Sequence, residues 1–404
     1  MAKLNGDRRQ KNFFRIVSVT LLLCCAILLV YPEQARKEKQ IKEVDMTSAE
    51  QVACTAKSDN TTVRDDKEAV ESISNNVQNV KVKGIYVTGP VAGSSKKMNE
   101  LVKLVETTNL NAMVIDIKND GGEITYKMDY DVADEIGSTK NYIKDIKALV
   151  QELKAKDIYL IARIVTFKDP ILAEKIPDYS IKNTDGSIFR DNQGLAWVNP
   201  YKREVWKYVL NVAGRAAALG FDEIQFDYIR FPTAPNMKNV TYGVEEKLVS
   251  KQDLIAQFTQ CAANYLRGRG VKVSADVFGG IISSEQDSRI IGQDYAKMSA
   301  SLDCICPMVY PSQFASGCYG VENPDASPYE IVYRAMKDSQ TKLAENSQVV
   351  VRPWLQDFTA TWLSDHITYD ATKIRKQIEA VYASGYEEWI LWNASNNYSI
   401  GGID

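Results

Sequence analysis

Histidine is almost absent from this chain: His366 is the only one in 404 residues. That excludes sites in which several imidazoles hold a catalytic metal, and it argues against a Ser-His-Asp triad. Disulfide or zinc-ligand spacing is also missing. Of seven cysteines, Cys24 and Cys25 lie in an apolar run and Cys54 in a polar stretch, while Cys261, Cys304, Cys306 and Cys318 are scattered. Cys304-x-Cys306 sits in a strand-like run, so both thiols face one way and read as small buried hydrophobes. No G-x-G-x-x-G follows the first β-rich run, where Thr88-Gly89-Pro90-Val91 stands instead, so a dinucleotide-binding loop is lacking. An excess of positive charge is lacking too. The net charge is −3, and residues 1–15 hold five basic side chains against one acid, Asp7. The rest of the chain is therefore mildly acidic, which argues against nucleic acid as a partner.

From Glu33 to Val80 there is no glycine, proline or aromatic residue. Such a polar segment cannot bury enough apolar surface to offset its ordering entropy, and it reads as a flexible stalk. Before it stands Ile16–Tyr31, "IVSVTLLLCCAILLVY", an uncharged run directly behind the basic residues. With Phe13 and Phe14 it approaches the length of a membrane-spanning helix, and no small-x-small cleavage site follows. The expected organisation is a basic cytoplasmic tail over 1–15, a transmembrane signal anchor over 16–32, a stalk over 33–80 and a folded body over 81–404. The body would lie outside the cell as a monomer on a single-pass anchor.

After residue 81 the chain alternates. Short β-rich runs at 82–88, 112–118, 159–166, 223–231, 273–279, 304–310, 349–355 and 388–393 are separated mostly by amphipathic helical patterns. Asn199-Pro200 and Asp370 look like helix starts, Gly220 and Gly385 like stops. Eight strands over this length predict an α/β fold, a (β/α)8 TIM barrel, with a doubly wound open sheet as the alternative.

In such barrels chemistry sits at the C-terminal ends of the strands. Here those ends are polar and aromatic: Asp116 and Lys118 on the second, Arg163 on the third, Gln225, Asp227 and Arg230 on the fourth, and Asp276 on the fifth. Tyr310 ends the sixth, Trp354, Gln356 and Asp357 the seventh, and Trp392 and Asn393 the eighth. With histidine excluded, what remains is carboxylate chemistry beside stacking aromatics, the equipment for cleaving a glycosidic bond. No cofactor or metal is called for.

The stretches "FDEIQFDYIRFP", "PMVYPS", "GCYGVENPDASPYE", "RPWLQDFTA" and "GYEEWILWNASNNY" resemble the bacterial "putative glycosyl hydrolase domain" family, barrel proteins related to the α-amylase-type glycoside hydrolases. The resemblance spans about Val82–Tyr398. It implies a polysaccharide or cell-wall glycan as partner, Asp227 as nucleophile, and an acid/base from strand five or six. Strand six offers no acid, which leaves Asp276, where the amylase-type pattern has Glu. Neighbouring strands lie about 4.8 Å apart, so this pair suits the carboxyl separation of about 5–5.5 Å found in retaining enzymes.

Other readings stay open at this point. Asp227 could be a salt-bridge partner of Arg163 or Arg230, and Asp276 a turn-stabilising carboxylate. Trp354 and Trp392 could be rim packing. Asp116, Asp227 and Asp276 with Lys118 could form an enolase-like magnesium site. The barrel could also bind glycan from its tether without cleaving it.

Overall fold

The computed structural model describes residues 80–345 and 347–403; the expected tail, anchor and nearly all of the stalk lie outside them. Among the described residues no helix is long and apolar enough to cross a membrane. Eight strands close a barrel: β1 Lys83–Val87, β2 Ala112–Lys118, β3 Tyr159–Val165, β4 Glu223–Asp227, β5 Lys272–Phe278, β6 Cys304–Val309, β7 in two pieces (Val350–Val351 and Trp354–Gln356), and β8 Trp389–Trp392. Each pairs in parallel with its sequence neighbour, and β1 pairs with both β2 and β8, which leaves no free edge in the ring.

Six long helices lie on the crossovers: α1 Ser95–Thr107, α2 Ile146–Lys154, α3 Arg203–Ala217, α4 Lys251–Arg267, α5 Pro328–Lys342 and α6 Ala371–Ala383. Two short helices, Glu285–Ile291 and Tyr295–Ser299, take the place of one between β5 and β6. The expected ends hold in part. Asp370 accepts the Lys373 amide at 3.1 Å as the cap of α6, and Gly220 and Gly385 take the left-handed φ values of 100° and 95° that glycine tolerates best. Asn199 does not cap α3, which starts at Arg203. Its side chain instead donates to the Tyr242 carbonyl and accepts the Tyr201 amide, both at 3.0 Å.

Two further departures matter for the site. The run 223–231 is not one strand: β4 stops at Asp227 because Tyr228 turns to φ 48°. The single strand expected at 349–355 is broken at Arg352-Pro353, since proline has no N–H to give the ladder.

Apolar strand faces pack outward on the helices, and a second cluster, including Val114, Ile161, Cys304, Cys306 and Ile390, fills the barrel. The Cys304 and Cys306 sulfurs lie 3.6 Å apart on the inward face. Below them the barrel floor is ionic. Arg352 bridges Glu223 at 2.8 Å and Glu388 at 2.9 Å, and Glu223 also receives the hydroxyls of Ser274 and Tyr159.

Candidate active site

Inward-facing residues alternate along each strand, so β4 stacks Glu223, Gln225 and Asp227 toward the mouth. The register Gln225↔Ser274 and Phe226↔Ala275 between β4 and β5 makes Asp227 and Asp276 the next pair up. Arg163 on β3 lies opposite Asp116 on β2 and Gln225 on β4, and its guanidinium reaches both carboxylates. Nη1 donates to Asp116 Oδ1 at 2.5 Å, while Nε and Nη2 donate to Asp227 Oδ2 at 3.0 and 2.5 Å. The other Asp227 oxygen accepts the Tyr228 amide at 2.5 Å. The Tyr86 hydroxyl donates to Asp116, whose carboxyl burial pushes up although Arg163 and Tyr86 oppose the shift.

Asp276 is held differently. It is buried, its Oδ1 accepts the Trp354 indole N–H at 2.6 Å, and its Oδ2 has no hydrogen-bond partner among the described residues. Burial first, and the negative charge of Asp227 second, push its carboxyl well above the usual carboxylate range, against the Trp354 hydrogen bond and the Arg163 charge. A buried carboxyl pushed up in pKa thus sits one strand away from a carboxylate paired with a guanidinium.

Above them opens a cavity of about 250 Å³. Of the residues expected in the site, Asp227, Arg163, Arg230, Tyr310, Trp354 and Trp392 line it. Trp392 stacks on Tyr86 with centroids 4.1 Å apart and meets Trp354 edge-on at 5.6 Å. Asp276 and Asp116 lie beneath the wall.

Five expected residues make other contacts. Lys118 pairs with Asp169 at 2.9 Å and donates to the Val165 carbonyl at 2.8 Å, because the β2–β3 register shifts between Asp116 and Lys118 and re-aims its side chain. Gln225 lies deeper in the barrel and donates to Cys306 Sγ at 3.3 Å. Gln356 joins the Ser312 amide to Asp325 and the Phe358 carbonyl. Asp357 accepts the Ser399 amide and hydroxyl, and Asn393 donates to the Asp357 and Asn397 carbonyls. These last two fasten the C-terminal segment.

Sequence reasoning left out Tyr86, Tyr228, Phe278 and Met308. Strand alternation from Asp276 and Cys306 would have found Phe278 and Met308, which line the cavity. Tyr228 carried no such signal, since alternation turns it away.

Among the described residues no three carboxylate, imidazole or thiol side chains are grouped as a metal-ligand set. The arginine between Asp116 and Asp227 occupies the place that a cation would need.

No curated protein matches the chain. A hypothetical protein from Ruminiclostridium thermocellum ATCC 27405 is 36% identical, with 97% of that chain and 48% of this one covered, at a TM-score of 0.44. The glycoside hydrolase domain of PgaB (BpsB) from Bordetella bronchiseptica is 11% identical over 78% of this chain and 95% of its own, with a TM-score of 0.58. The C-terminal domain of a chitinase, so described provisionally, from Desulfitobacterium hafniense DCB-2 is 12% identical over 81% and 95%, with a TM-score of 0.51. At such identities the last two likenesses speak for the barrel alone. The family profile described as "Putative glycosyl hydrolase domain" matches residues 84–398, and the chain belongs to that family.

Proposed function

We propose that the barrel cleaves a glycosidic bond in an extracellular or cell-wall polysaccharide, with retention of configuration. The observation that carries this reading is the pair of carboxyls in contrasting settings on adjacent strands, one on a guanidinium and one buried beside an indole. Asp227 is paired with a guanidinium at the cavity wall, and Asp276 keeps its proton through burial and through the charge of Asp227. A carboxylate held by a guanidinium beside a carboxyl pushed up by burial assigns a nucleophile and an acid.

In the first step Asp227 attacks the anomeric carbon while the proton of Asp276 passes to the leaving oxygen. Asp276 lies below the cavity wall, so one water carries that proton across. The leaving sugar departs, and a glycosyl ester remains on Asp227. In the second step Asp276, now a base, draws a proton from an incoming water that opens the ester. Trp392 and Tyr310 supply apolar faces for the sugar ring. The basic residues ahead of an uncharged apolar run support a membrane tether that would set this barrel against the cell envelope.

The test is a screen of the full chain in detergent against wall and storage polysaccharides, with EDTA present, reading the first-formed anomer by proton NMR. Retention without metal is expected. Inversion would move the nucleophile's role to a water, and activity that needs added Mg²⁺ would turn the carboxylates into ligands.

A further inference from the structure

Two buried arginines and a half-buried one line the barrel and its mouth, and the two buried ones are neutralised in full. Arg163 bridges Asp116 and Asp227, and Arg352 bridges Glu223 and Glu388. Arg230 is different. Its guanidinium lies over the rings of Phe278, Trp197 and Tyr228, at 4.8, 5.0 and 5.1 Å from their centroids. Among the described residues its one hydrogen bond runs from Nη1 to the Phe231 carbonyl at 3.0 Å, and no carboxylate comes within ion-pair distance. Yet Arg230 lines the cavity beside Asp227. The other cation at this lip, Lys168, is already paired with Asp120 at 3.2 Å and Gln193 at 3.0 Å.

A guanidinium enclosed by aromatic faces has lost much of its hydration, and burial lowers its pKa. Ring quadrupoles return part of that cost. Among the described residues the other donors of the fork have no acceptor, and a planar fork matches the two oxygens of a carboxylate. Asp227 and Asp191 act on this charge without touching it; neutral sugar hydroxyls could accept those hydrogen bonds but would add no counter-charge at the fork.

We propose that the cavity takes an acidic sugar, whose carboxylate is gripped by Arg230 while its anomeric carbon faces Asp227. This rests on the glycoside hydrolase reading of the same site. The carboxylate can come from two sources, the C6 position of a hexuronic acid or the lactyl ether of an N-acetylated amino sugar, and the rings of Tyr228 and Phe278 beside the fork serve either.

The test separates recognition from turnover. In the full chain carrying Asp227→Asn, binding is measured by calorimetry for three probes: an oligouronide, the same oligomer with its carboxyls reduced to hydroxymethyl groups, and a disaccharide bearing a lactyl ether. One acidic probe is expected to bind at least about tenfold tighter than the reduced oligomer, with the advantage shrinking as salt rises. Which acidic probe binds identifies the source. Adding Arg230→Gln should abolish the advantage, and Arg230→Lys, which keeps the charge without the fork, should retain part of it and guards against loss of fold. Equal binding of acidic and reduced probes, including none of either, overturns the proposal, as does a preference that survives Arg230→Gln. Acid-selective binding with no hydrolysis of any acidic glycan by the unsubstituted chain would instead sink the hydrolase reading and leave this one standing.

Discussion

Replacing Asp227 by Asn separates a catalytic carboxylate from a merely structural one. Asn is nearly isosteric, and its amide oxygen can still accept the two N–H groups that Arg163 directs at Asp227 Oδ2. What disappears is the charge and, because the other atom becomes an NH2 group, the acceptor of the Tyr228 amide. Arg163 is not stranded, because Asp116 remains its counter-ion and the rings of Tyr86 and Trp392 lie 5.5 Å from its guanidinium carbon. The cost is therefore that of turning charge-assisted hydrogen bonds into neutral ones and of losing one backbone hydrogen bond, about 2–3 kcal/mol, and not the ~3–5 kcal/mol of a buried ion left alone. Over roughly 320 described residues, an unfolding entropy of about 2.1 cal/mol/K per residue makes this a drop of about 3–5 °C in Tm. Turnover should fall by at least about 10⁴-fold, the scale on which removal of a catalytic group acts.

A second readout comes from Asp276. Folded, it keeps a proton that the unfolded chain releases above about pH 4, so stability falls as pH rises from there toward its raised folded pKa. Without the charge of Asp227 that rise is smaller, and the stability of the variant should decline less steeply with pH. Calorimetric melting from pH 4 to 8 and hydrolysis assays at 20 °C read both effects. A drop in Tm beyond about 6 °C, with hydrolysis lost only in proportion to unfolding, would refute the nucleophile role.

Two other perturbations probe what surrounds that carboxylate. Trp354→Phe removes the one hydrogen bond that favours the ionised form of Asp276, so the alkaline limb of the pH–rate profile should move upward; a limb that stays or moves down would show that Asp276 is not the acid. Arg352→Met leaves Glu223 and Glu388 buried without their counter-ion and should cost about 3–5 kcal/mol, read as a large fall in Tm with turnover retained at low temperature.

The barrel was legible because it depends on local signals. Eight short apolar runs, helix stops at Gly220 and Gly385, and the polarity of the strand ends each mark one element without reference to another. Asp227, Arg163, Arg230, Tyr310, Trp354 and Trp392 were legible for the same reason, as strand-end residues of the right period. Pairings were not, since the choice of Arg163 over Arg230 as the partner of Asp227 follows from the stagger between β3 and β4. Lys118 had the period of a site residue but met a register shift that no single-strand pattern announces. Asp357 and Asn393 were drawn off by the C-terminal segment, a contact more than forty residues long in the case of Ser399.

Tyr228 has a consequence for anyone who would move this site elsewhere. A regular strand shows a cavity every second residue, yet here Asp227 and Tyr228 both line it, because the left-handed turn at φ 48° swings the second inward. Neighbouring positions in the chain thus serve one pocket, at a conformational cost of about 1–3 kcal/mol held by the closed ring around them. A transplant that copied the side chains onto a straight strand would keep one of the two and point the other into the helical layer. The unit to be grafted is the kink together with its residues, and a glycine at 228 would ease the backbone while emptying the wall.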